Sequence, residues 1–67
     1  MAIHAKTNGL LVSVRILDVT DKYWHIHAVD EKRPKFISKS DPKNKVFDGN
    51  SALDDALAWQ KQNRLAL

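Results

Sequence analysis

The chain has no cysteine, two glycines and two prolines in 67 residues. Without thiols, neither a disulfide nor a thiolate zinc site can reinforce the fold, and cysteine-based redox or nucleophilic chemistry is excluded. So few glycines leave no phosphate-cradling loop, and there is no nucleophile-elbow pattern. No apolar stretch approaches membrane-spanning length, and the opening MAIHAKTNG lacks the basic-then-apolar run of a signal peptide. The expectation is a soluble, cytoplasmic chain with no membrane partner.

A chain of this length predicts one small domain, residues 1–67, near the size at which burial only just outweighs chain entropy. It has little capacity to build a pocket that excludes water, so it is read as non-enzymatic, with no catalytic residue and no cofactor. The ends, Met1 and Arg64-Leu65-Ala66-Leu67, carry no tag or linker and read as those of a complete small gene product. Eleven basic residues against eight acidic ones give a net charge of +3, which permits attraction to nucleic acid or acidic proteins without demanding either.

What is present is organised around Leu10 to Val29. Apolar residues recur at every second position in Leu10, Val12, Val14 and Ile16, and again in Trp24, Ile26 and Ala28, the period of a half-buried strand. With Thr20-Asp21-Lys22 as the turn, Ile16 faces Ile26, Val14 faces Ala28 and Asp18 faces Trp24, so both rows land on one face. On the reverse face, Arg15 opposes His27, Leu17 opposes His25 and Val19 opposes Tyr23. Residues 1–9 hold one strongly apolar position, Ile3, and are read as frayed or as a short edge strand, with His4 on the surface. After the charged turn Asp30 to Pro34, Lys35 to Ser40 reads as a third strand with Phe36 and Ile37 on opposite faces. Asp41-Pro42-Lys43-Asn44 is a polar turn, and Lys45-Val46-Phe47 extends the sheet or forms a short fourth strand.

Residues 50–67 read as a helix. Asn50 or Ser51 serves as N-cap, Asp54 completes a capping-box-like spacing, and Asp54 and Asp55 suit the helix dipole. Ala52, Leu53, Ala56, Leu57, Trp59 and Leu67 share one arc of the wheel. The predicted fold is α+β: an antiparallel sheet of three to four strands, residues 10–47, with one C-terminal helix on the face carrying Leu10, Val12, Val14, Ile16, Trp24 and Ile26, in the order β-β-β-α. The other face has no second helix to cover it.

His25-x-His27 is the one ligand-like pair, both imidazoles projecting from one face about 7 Å apart. No third ligand lies nearby in sequence and Arg15 opposes His27, so no metal is predicted. Lys32, Arg33, Lys35, Lys39, Lys43 and Lys45 form the densest basic segment. From Val12 to Gln62, the strand order and the helix entry Ser51-Ala52-Leu53-Asp54-Asp55-Ala56 resemble the arm-type DNA-binding domain of phage tyrosine recombinases. That resemblance lies in outline alone, with no specific motif, and implies DNA binding.

Two functions follow from the open face. The first is a protein-binding module: Leu17, Val19, Tyr23 and Val29 beside Arg15, His25 and His27 have the apolar centre and polar rim of an interface. Size and lack of catalytic equipment suggest an inhibitor or accessory regulator of the phage or mobile-element type, docking on a larger protein or protein–nucleic acid complex, or pairing as a homodimer. The alternative is a nucleic-acid binder using the same face and residues 32–45. The candidate partner-binding residues are Arg15, Leu17, Val19, Tyr23, His25, His27, Lys35 and Lys39.

Overall fold

In the computed structural model, which describes residues 1–65, the elements are β1 (Ala2–Lys6), β2 (Leu11–Val19), β3 (Tyr23–Ala28), β4 (Lys35–Ser38), β5 (Asn44–Asp48) and α1 (Ala52–Leu65). The fold is α+β, with a five-stranded antiparallel sheet in the order β4-β3-β2-β1-β5 where three to four strands were expected. The additional strand is β1. It is neither frayed nor an edge, but lies between β2 and β5, and four of its five residues are buried.

The two edge strands, β4 and β5, stand at opposite ends of this order yet contact each other. The sheet is therefore curled, and one face closes on itself. That inner face holds a core drawn from all five strands: Ala2, Val14, Ile26, Ala28, Ile37 and Val46, flanked by Val12, Ile16 and Trp24. The alternating row of the hairpin does make a core, then, but against its own sheet rather than against the helix. Leu10, assigned to that row from sequence, precedes the strand and is exposed.

Helix α1 lies on the reverse, outer face, over β1 and β5. Ala52 and Ala56 pack there on Ile3 and Ala5, with Leu11, Phe47 and Trp59 around them. Alanine on both sides lets helix and strand approach closely, and this closeness rotates Leu53 and Leu57 out to solvent, at 44% and 49% exposed. Both had been expected in the core. Leu67, placed on the same arc of the wheel, lies outside the described residues. One turn beyond Ala56, the buried Gln60 amide donates to Lys6 O at 2.6 Å and Leu10 O at 3.0 Å, tying the helix to the β1–β2 turn. At the helix start, Ser51 Oγ donates to the Asp55 carboxylate at 3.0 Å, so it is Asp55 and not Asp54 that it engages. Gly49, at φ +107°, makes the left-handed step from β5 towards the helix.

His4, expected on the surface, is 1% exposed on the inner face, opposite Val12 and Val46. Asn44 commits its amide nitrogen to the Asp41 carboxylate at 3.0 Å, so its oxygen faces His4 and accepts from Nε2 at 3.0 Å. Nδ1 is then a buried acceptor without a partner. Burial holds the imidazole below its ordinary pKa; the Asn44 hydrogen bond opposes this, and Lys35 and Lys6 add to it.

Candidate functional site

Pairing of β2 with β3 follows the expected register for Val14/Ala28, Arg15/His27 and Ile16/Ile26, then shifts at Leu17. Beyond that bulge, Asp18 opposes His25 and Val19 opposes Trp24. The cause lies at the turn. Thr20 N–H donates to Tyr23 O at 3.0 Å and Thr20 Oγ1 accepts from the N–H groups of Lys22 and Tyr23, so the loop is Asp21-Lys22 alone. A loop one residue shorter than expected is reconciled with the core register by one extra residue in β2, and Leu17 is that residue.

The bulge changes the membership of the outer face. Val19 leaves it for the inner row beside Trp24, at the rim of the sheet. Asp18, previously assigned to the apolar row, joins His25. Leu17 stays exposed at the bulge, and Val29 is exposed beyond the end of β3.

The β3–β4 pairing adds what the hairpin alone does not contain. Tyr23 opposes Ser38, His25 opposes Phe36 and Trp24 opposes Ile37. Ile37 therefore points into the core and Phe36 outward, 62% exposed. The Phe36 ring stacks on His25 at 4.2 Å between centroids with planes 11° apart, and meets Tyr23 edge-on at 4.9 Å and 84°. These three rings, with Arg15 and His27 alongside, occupy the outer face that the helix does not reach. A shallow depression of about 530 Å³ lies against them, lined by Lys22, Tyr23, Phe36 and Ser38.

Each sequence-predicted residue has a definite place in this arrangement. Arg15, Tyr23, His25 and His27 are together on the outer face, with Leu17 at its margin. His27 Nε2 is bonded to Glu31 O at 2.8 Å, which fixes the ring at the start of the charged turn. Val19 is on the other face. Lys35 belongs to the inner row opposite Ile26 and is ion-paired with Glu31 at 2.6 Å. Lys39 reaches over the Trp24 ring at 5.0 Å. Lys35 and Lys39 thus share the inner-row side of β4, away from Phe36, whereas Lys45 opposes Ala5 in the outer row of β5, so the basic segment does not form one surface. Among the described residues, no three His, Cys, Asp or Glu side chains are grouped as metal ligands. Phe36 and Lys22 were missed as site residues. The signal for Phe36 was its neighbour: once Ile37 is assigned to the core, alternation puts Phe36 outside.

Comparison with protein-family models, with curated protein sequences and with solved structures found no match.

Proposed function

We propose that the chain is a non-enzymatic binding module that docks the uncovered outer face of β2, β3 and β4 on a larger protein. By occupying that partner's surface it acts as an inhibitor or accessory regulator, of the small kind that phages and other mobile elements carry. The observation that supports this reading is Phe36, a large apolar ring held in solvent by His25 on one face and Tyr23 at its edge. A ring already fixed by its neighbours loses little freedom on binding, and aromatic residues beside an arginine are the common anchors of protein interfaces. Arg15 and His27 supply the polar rim.

The test is capture of a partner by tagged protein from a bacterial lysate, with and without nuclease, using wild type and the Tyr23→Ala/Phe36→Ala double variant. Capture that survives nuclease and is lost in the double variant supports docking through this face. Capture that the double variant leaves intact overturns it. A second reading, nucleic-acid binding, is favoured by the one open face of the Phe36 ring, on which a base can stack. Material recovered only without nuclease moves the assignment to that reading.

A further inference from the structure

The depression at Tyr23 and Phe36 adjoins the end of the β3–β4 pair, where two lysines meet on the inner-row side of the sheet. Lys39 N–H donates to Lys22 O at 2.8 Å, extending the β3–β4 register by one pair and setting these like charges directly opposite one another. Such a pairing is destabilising in a sheet unless something answers it. No carboxylate does: among the described residues the one ion pair is Lys35–Glu31, and Lys39 has only the Trp24 ring beneath its ammonium at 5.0 Å. Asp21 borders the same depression as Lys22, Ser38, Lys39 and Ser40 and is ion-paired with neither lysine. That depression shares Lys22 and Ser38 with the one at Tyr23 and Phe36. It shares Ser38 and Lys39 with a cleft between β4 and β5 at Trp24 and Lys45. A track of adjoining depressions therefore begins at an aromatic seat and runs past two ammonium groups that no carboxylate pairs.

We infer that this track takes an extended acidic segment of the partner protein, with one apolar side chain against Phe36 and Tyr23 and carboxylates against Lys22 and Lys39. The inference rests on the protein-docking reading and names the chemistry of its partner. A single nucleic-acid strand shares the negative charge but needs successive stacking platforms. Here there is one. His25 covers one face of Phe36, Tyr23 stands perpendicular to that ring, and Trp24 belongs to the inner row with the Lys39 ammonium over it. One anchor followed by a line of cations matches an acidic peptide.

The experiment is an NMR titration of isotope-labelled full-length protein with three probes. They are the acetylated, amidated peptide Glu-Asp-Glu-Leu-Glu-Asp-Glu, its Gln-Asn-Gln-Leu-Gln-Asn-Gln counterpart, and octathymidylate. The acidic peptide is expected to shift the amides of Lys22, Tyr23, Phe36, Ser38 and Lys39 saturably, and the neutral peptide to bind about tenfold more weakly. Lys22→Ala/Lys39→Ala, at two exposed positions, removes that difference while keeping the dispersed spectrum of a folded protein. Equal binding of the two peptides, or shifts elsewhere, overturns the inference; if capture from lysate still needs Phe36, the docking reading survives it. Tighter binding of octathymidylate than of the acidic peptide overturns both.

Discussion

Along the six residues of β3, two rows alternate and carry different burdens. Trp24, Ile26 and Ala28 point into the curled sheet, where Ile26 and Ala28 are almost wholly enclosed. Tyr23, His25 and His27 point out, half-buried by one another and by Phe36, with no helix above them. The inner row is constrained by volume, because a closed face has nowhere to relax. The outer row bears on the fold only through its ring contacts with Phe36 and the His27–Glu31 hydrogen bond. One strand thus carries both a row of the core and the row proposed for recognition.

The sharpest way to break this comparison is to truncate one residue from each row. Ile26→Ala removes a side chain with no exposed surface and is expected to cost about 2–5 kcal/mol, much of what so small a domain possesses. Phe36→Ala is expected to cost within about 1 kcal/mol, mainly the stacking with His25 and Tyr23. Urea denaturation followed by circular dichroism measures both, and equal losses would mean that the outer rings belong to the core.

Next in size is Gln60→Ala. It strips the buried amide from two turn carbonyls and is expected to lower stability by about 1–3 kcal/mol in the same assay.

A smaller, pH-dependent effect comes from His4. Its folded pKa lies below the ordinary value of about 6.5 that the unfolded chain retains, so below that pH the unfolded state binds the extra proton. Stability should therefore fall as pH drops from about 6.5 towards the lowered value, and level off beneath it on this account. The carboxylates of Glu31, held low by the Lys35 hydrogen bond, and of Asp41, held low by the Lys43 N–H, act in a more acidic window. His4→Gln, whose amide can still donate to Asn44, should flatten the slope near pH 6 in urea midpoints taken between pH 7.5 and 5, a range set by the ordinary imidazole value of about 6.5. An unchanged slope would place the proton elsewhere.

The smallest effect tests the helix. Leu57→Lys, at an exposed position, should move stability by no more than about 0.5 kcal/mol, whereas Ala56→Leu, one residue away and fully buried, should cost about 1–3 kcal/mol through overpacking.

These contrasts show where the residues spoke plainly and where they did not. The pairs Val14/Ala28 and Ile16/Ile26 were legible because strict alternation on two arms admits one register. Beyond Ile16 the reading failed, since a bulge has no composition of its own and the Asp21-Lys22 loop is one residue shorter than its polar cluster suggests. Strand β1 was undervalued because its burial is carried by Ala2, Ala5 and His4, small or polar residues that fit only a tightly curled sheet. The helix was misoriented for the same reason: its large leucines outweigh its alanines on a wheel, but the alanines decide how near a strand can come. Of the candidate site, Arg15, Tyr23, His25 and His27 followed from parity. Phe36 and Lys22 depended on a β3–β4 register that four residues of β4 do not specify alone.

The placement of β1 also sets an order of assembly. The β2–β3 hairpin closes through a two-residue loop and β1 pairs with β2 through the turn at residues 7–10, both local events on a microsecond scale, whereas the β1–β5 ladder joins residues, such as His4 and Asn44, 40 apart along the chain. The longest-range contacts in this molecule are thus those of β1, with β5 and with the helix. Closure of β5 on β1 is therefore expected as the late step, the one that buries His4, seats the helix on Ile3 and Ala5, and brings the edge of β5 round to β4.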